Sequence, residues 1–182
     1  MGTRPRDRFE KGIVLDDRMA FEQAYIAHKD RLLTLSMALT GDRSAAEDVV
    51  HDVFARLIRE PRRLRDESGL PAFLTVCTRN RALDGRRRKG RETVLAGTEE
   101  MRDENPDSHN PAEQAASAEE HEILLGMVST LPDSQREVLT LRMWGDLTFE
   151  EIAGLQGTTK STAHARYRQA LAELRARLEK GG

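Results

Sequence analysis

From about Arg91 to Glu120 this chain of 182 residues loses all hydrophobic periodicity. Pro106 and Pro111 fall there, among Asn, Ser, Gln and acidic side chains. Such a stretch buries too little apolar surface to offset the entropy of ordering it, so it reads as a flexible linker. It divides the chain in two. What remains is an N-terminal unit of roughly ninety residues and a C-terminal unit of roughly sixty. Each is large enough to bury a core, the smaller one with little to spare. Aromatics are sparse and Ala, Leu, Glu and Arg are prominent, which favours helix over sheet. The expected fold class is all-α: two small helical domains joined by a flexible acidic linker, the second a helix-turn-helix domain. The expected boundaries are a tail over 1–17, domains over 18–92 and 121–182, and a linker over 93–120.

The helix-turn-helix is written between Leu131 and Leu178. Thr148-Phe149-Glu150-Glu151 is a capping box that starts a short helix through Ala153. Gly157 suits the left-handed conformation that ends one helix and permits a tight turn. Thr159 can cap a second helix. Its apolar positions Ala163, Tyr167, Ala170, Leu171, Leu174 and Leu178 form a helical stripe. Lys160, Arg166, Arg168, Arg175, Arg177 and Lys180 make that helix basic. Such a motif sets the start of its second helix in the DNA major groove. Gln156 departs from the pattern, because it stands where these motifs usually bury an apolar residue.

In the N-terminal unit, Arg18 to Thr40 carries apolar residues at helical spacing and ends at Gly41-Asp42. Ser44-Ala45-Ala46-Glu47 reads as a second capping box. The helix it starts carries Val49, Val50, Val53, Phe54, Leu57 and Ile58 on one side, with Glu47, Asp48, His51 and Asp52 opposite. A third helix opens with Pro71 in its first turn. It runs through Thr78-Arg79-Asn80-Arg81 and Asp84 into the Arg86–Lys89 cluster.

The net charge of −2 looks wrong for a nucleic-acid binder, but its distribution does not. Thr75 to Thr93 holds seven cations against Asp84 and Glu92, whereas Val94 to Gly126 holds nine acids against Arg102. A phosphate backbone responds to the local field, not to the sum. A single cysteine, Cys77, excludes a disulfide framework and a Cys-rich zinc site. It lies on the stripe Leu70, Phe73, Leu74, Cys77 and reads as core. Trp144 reads as a packing anchor. No apolar run reaches membrane-spanning length, and MGTRPRDRFEKG lacks the apolar segment of a signal peptide. Together these point to a soluble cytoplasmic protein without membrane insertion.

One pattern suggests an enzyme. His28, His51-Asp52 and Asp84 follow the ligand order of HD-type metal phosphohydrolases. The competing account makes His51 and Asp52 an exposed polar face, and further ligands are missing. No Gly-rich phosphate loop or nucleophile elbow is present. No catalytic residue, metal site or cofactor is therefore expected. A stand-alone helix-turn-helix regulator is the other alternative, and it leaves the acidic helix unexplained.

These residues together resemble bacterial RNA polymerase sigma factors of the extracytoplasmic-function group, over roughly Phe21 to Leu178 apart from the linker. GDRSAAEDVVHDVFARL resembles the family's acidic helix that docks on the polymerase clamp helices. LPAFLTVCTRNRALDGRRR resembles its −10 segment, and LPDSQREVLTLR with the helix-turn-helix resembles its −35 segment. Phe73 stands where the family usually has Trp, and His164-Ala165 where it has a basic residue and Ser.

The resemblance implies a transcription initiation factor, not an enzyme, that binds core RNA polymerase and promoter DNA. It implies polymerase contacts at Glu47, Asp48, His51 and Asp52. It implies −10 contacts at Arg79, Asn80, Asp84, Arg86, Arg87 and Arg88, with a flipped base received by the loop around Arg63 to Ser68. Contacts at −35 would come from Thr159, Lys160, Ser161, Thr162, His164 and Arg166. No sensor is expected within this chain, so control is expected from an anti-sigma factor.

Overall fold

The computed structural model describes residues 15–60, 68–96 and 122–181. Most of the expected tail and linker, and all but Ser68 of the expected base-receiving loop, lie outside them. The described residues form seven helices and no strand: α1 Leu15–Thr40, α2 Arg43–Arg59, α3 Leu70–Ala96, α4 122–129, α5 Asp133–Met143, α6 Phe149–Gln156 and α7 Lys160–Gly181.

α1, α2 and α3 pack on one another as a three-helix unit. Leu32, Leu35 and Leu39 of α1 meet Val49, Val53, Phe54 and Leu57 of α2 and Leu74 and Cys77 of α3 in one buried cluster. Phe21, Tyr25 and Phe54 close its end, with ring centroids 4.8–6.4 Å apart. Burying each of these aliphatic side chains contributes about 1.5–3 kcal/mol. Cys77 is a core residue, as its stripe implies.

Several local expectations need correction. Asp42, not Ser44, is the N-cap of α2: its carboxylate accepts from the Ala45 N–H at 2.8 Å. Asp is as good a cap as Ser, and using it starts the helix two residues earlier, at Arg43. Ile58 is exposed, because it falls just past the edge of the α2 stripe. α3 continues past Gly90 to Ala96, into the segment read as linker. A lone Gly costs a helix only about 1 kcal/mol and did not stop it.

The two units also pack on each other. Val138 and Leu141 of α5, Leu147, Ile152 and Ala153, and Ala163 of α7 belong to the same apolar cluster as the three-helix unit. A second cluster joins Ala38 of α1 to Leu125, Val128, Leu131, Leu139, Ala170 and Leu174. Trp144 touches both clusters, which makes it the anchor its sequence position suggests. Gly145 shows how close the approach is. A Cβ built there would stand 2.9 Å from the Thr75 methyl of α3 and 2.5 Å from the Leu141 carbonyl oxygen.

Candidate nucleic-acid and polymerase interface

The helix-turn-helix forms as its sequence dictates. The Thr148 hydroxyl accepts from the Glu151 N–H, while the Glu151 carboxylate accepts from the Thr148 N–H at 2.8 Å and from its hydroxyl at 2.7 Å. The Thr148 N–H first, then its hydroxyl, hold the Glu151 carboxyl below its ordinary pKa. α6 outlasts Ala153 and ends at Gln156, with Gly157 in the left-handed region at φ 63°. The Thr159 hydroxyl then accepts from the Thr162 N–H at 3.2 Å and caps α7.

α6 and α7 cross at two small residues, Ala153 and Ala163, both buried. Ala170 and Leu174 continue the buried seam, whereas Leu171 and Leu178 are exposed, so the stripe is narrower than its sequence spacing suggests. Outside that seam Lys160, Ser161 and His164 are exposed. Glu150 holds the Lys160 ammonium at 3.1 Å. The His164 ring meets Phe149 edge-on, with centroids 5.0 Å apart. Phe149 also receives Tyr167 at 5.4 Å and the Arg142 guanidinium at 5.3 Å. Arg142 was not anticipated from sequence. It is an exposed cation fixed beside the recognition helix by donating to the Leu147 carbonyl.

Gln156 stands where such motifs bury an apolar residue, and its surroundings explain how a polar residue is tolerated there. Its amide nitrogen donates to the Ser134 carbonyl of α5 at 3.1 Å, and its amide oxygen accepts from Arg166 of α7 at 2.7 Å.

On α2, Glu47, Asp48, His51 and Asp52 are all exposed, opposite the buried valines. Two of the four are already engaged. Arg43 pairs with Glu47 at 3.1 Å, and Arg81 of α3 pairs with Asp52 at 2.5 Å. Among the described residues Asp48 has no ion-pair partner, which leaves its charge directed outward.

The structure divides the −10 candidates of α3 among several partners. Arg79 points into the junction between the units. Its Nε and Nη2 reach the Glu137 carboxylate of α5 at 2.6 and 2.5 Å, and Nη2 donates to the Leu155 carbonyl of α6 at 3.1 Å. Its Nη1 donates to Asn80 at 2.9 Å. Only 15% of the Arg79 side chain and 11% of Glu137 remain exposed. Arg86 reaches Asp133 at 3.0 Å. Arg87 pairs loosely with Asp84 at 3.7 Å, and Arg88 is exposed. The six candidates are therefore not one open surface in this arrangement.

A second polar seam reinforces the junction. The Arg31 guanidinium of α1 donates to Thr75 at 3.2 Å, to the Trp144 carbonyl at 3.0 Å and to the Pro71 carbonyl at 3.4 Å. Thr75 in turn donates to the Gly145 carbonyl at 3.3 Å. Burial lowers the Arg31 pKa and Asp146, 3.8 Å away, opposes that shift. It stays protonated, since arginine does not lose its proton in proteins. Burial and nearby Arg31 also lower the pKa of His28. Sequence reading missed Arg31 and Glu137. Their hydrogen-bond partners lie 40 to 113 residues away, and no local pattern announces such a pairing.

Among the described residues no group of three His, Cys, Asp or Glu side chains converges to hold a metal, so His28, His51, Asp52 and Asp84 form no such site. No described helix is long and apolar enough to cross a membrane.

An all-helical pair of units ending in a capped helix-turn-helix with a cationic second helix defines a DNA-binding protein. Comparison with known proteins narrows the class. Residues 24–92 match the family model of sigma-70 region 2, and residues 121–174 match that of sigma-70 region 4. The ECF RNA polymerase sigma factor SigK of Mycobacterium tuberculosis is 26% identical over 163 residues, covering 87% of this chain and 86% of SigK. A probable RNA polymerase sigma factor of Xanthomonas campestris, RfaY, is also 26% identical over 163 residues; there the chain spans 40% of the relative's length. Among solved structures, the sigma factor RpoE of Bartonella quintana, in complex with the anti-sigma factor NepR, shares the fold. It superposes with a TM-score of 0.66 at 21% identity, over 91% of this chain and 98% of that one. The chain belongs to the sigma-70 family of promoter-directing transcription initiation factors, in its extracytoplasmic-function group.

Proposed function

We propose that this protein binds core RNA polymerase through the exposed acidic face of α2 and directs it to promoters through α3 and α7. The observation that carries the reading is the geometry of α7. Its first turns are capped, cationic and outward-facing, while its rear is buried against α5 and α6. Phosphate contacts from Lys160 and Arg166 would set position, and Ser161, Thr162 and His164 would read base edges at the −35 element. Thr159 ends the loop as the cap. Arg79, Asn80, Asp84, Arg86, Arg87 and Arg88 would engage the −10 element. The domain division at 18–92 and 121–182 follows from the same assignment. The protein works without a catalytic group or cofactor, in the cytoplasm where polymerase and DNA are.

The junction gives the reading a conformational requirement. Arg79 and Arg86 cannot hold promoter DNA while Glu137 and Asp133 hold them, so the units must part when polymerase is bound. An anti-sigma factor that grips the joined arrangement would keep both arginines covered. The RpoE relative is itself bound to an anti-sigma factor, which supports a partner of this kind. Size-exclusion chromatography of the full chain with core polymerase tests the first step, and selection of promoter duplexes by the resulting holoenzyme tests the second. A stable complex that enriches two conserved blocks supports the proposal. Enrichment by the chain without polymerase would instead make it a stand-alone regulator.

A further inference from the structure

Gln156 does more than fill the site of an apolar residue. A carbonyl oxygen only accepts and a guanidinium only donates, so the Gln156 amide has one orientation between Ser134 and Arg166. The opposite orientation would set donor against donor and acceptor against acceptor. The Ser134 carbonyl belongs to the helical backbone of α5 and cannot swing away. The amide oxygen is therefore a fixed point, and Arg166 is tied to it by one Nη. Among the described residues that is the only hydrogen bond of Arg166. Its Nε and other Nη form a free edge that can grip two oxygens at once.

Arg166 also has a particular place on α7. It lies three residues after buried Ala163 and beside half-buried Tyr167, on the flank of the seam. Outward-facing Ser161 and His164 are better placed to reach base edges. We infer that Gln156 is a positioning residue: it holds Arg166 as a preorganised phosphate clamp at the edge of the recognition helix, so that α7 meets the groove in one register. This rests on the assignment of α7 to promoter DNA. An arginine already held loses less side-chain freedom on binding than a free one. With an apolar residue at 156, Arg166 would still reach the phosphate but would have to be ordered first.

The test uses holoenzyme assembled from core polymerase and the full chain, on a promoter duplex selected by the wild-type holoenzyme. Gln156→Met keeps the length and removes both hydrogen bonds. It should weaken binding roughly 3- to 10-fold, the range expected from freeing one long side chain. The slope of log K against log salt and the base preference should stay unchanged. Arg166→Ala should weaken binding and flatten that slope by about 0.9, the value of one phosphate contact. In the Arg166→Ala background, Gln156→Met should cost nothing further. An equal loss in both backgrounds would show that Gln156 acts on the fold and not through Arg166, and would overturn the inference. Wild-type affinity for Gln156→Met, with Arg166→Ala weakened, would overturn it while leaving the DNA assignment standing. Wild-type affinity for Arg166→Ala would overturn both. Should Gln156→Met fail to fold, Gln156→Asn replaces it: the shortened amide no longer spans Ser134 and Arg166, so binding should fall as for Met, the fall should vanish in the Arg166→Ala background, and unchanged binding would overturn the inference.

Discussion

Glu137→Gln should open the junction between the two units. The substitution keeps the side chain's shape and removes its charge. In the joined arrangement Glu137 receives two contacts from Arg79, and both side chains are largely shielded from water. Removing one partner of a fully buried pair costs about 3–5 kcal/mol. Here the cost is smaller, because Arg79 keeps Asn80 and the Leu155 carbonyl as acceptors, and the amide oxygen of Gln can still accept. Loss of charge-assisted bonding of this kind is worth about 1.5–3 kcal/mol. With the units apart both side chains are in water, and the substitution is nearly neutral. The difference therefore falls on the equilibrium between joined and separated forms. At about 1.4 kcal/mol per tenfold, the odds of separation rise roughly 10- to 100-fold. Single-molecule energy transfer between dyes at the exposed positions Ser44 and Gln169 reads those odds directly. An unchanged distribution in a folded variant would refute the claim that the Arg79–Glu137 pair holds the units together.

Thr148→Ala removes the side-chain half of the capping box and should lower stability by about 1 kcal/mol, measured by denaturant unfolding. Glu151 should make stability depend on acid: its folded pKa lies below its unfolded value, so its contribution is complete above the ordinary carboxylate range. The contribution fades as pH falls through the folded value, and the gap between wild type and Glu151→Gln should close there. Gly157→Ala should cost about 1 kcal/mol through its left-handed backbone alone, since a Cβ there meets nothing within 4 Å. Asp48→Arg reverses the outward charge of α2 without touching an ion pair. It should reduce affinity for core polymerase at least tenfold and leave thermal unfolding unchanged, as read by surface plasmon resonance and circular dichroism.

The parts of the molecule that follow from local chemistry were legible in the sequence. The capping box at Thr148, the left-handed Gly157, the Thr159 cap and the buried faces of α2 and α7, apart from exposed Ile58, Leu171 and Leu178, each depend on residues a few positions apart. Local rules also failed where two solutions compete at short range. Asp42 and Ser44 are both good caps, and only the structure shows that the chain uses Asp42. The continuation of α3 through Gly90 is a similar case, because a mild helix penalty is easily overridden. The junction was not legible at all. Arg31, Arg79, Glu137 and Gln156 carry no pattern that names their partners, because each pairing is created by the tertiary arrangement. Arg79 was read as a DNA contact from the family resemblance, and the structure adds that its charge is already engaged when the units are joined.

Run-off transcription tests the central claim most directly. Purified core polymerase is supplied with this chain and a promoter template carrying the two blocks selected by the holoenzyme. The expected result is a discrete transcript that requires the chain and is lost when either block is scrambled. A chain carrying Arg79→Ala and Arg166→Ala should still bind core polymerase and yield little of that transcript. Equal transcript with and without the chain, or full transcript from the double variant, would contradict the claim.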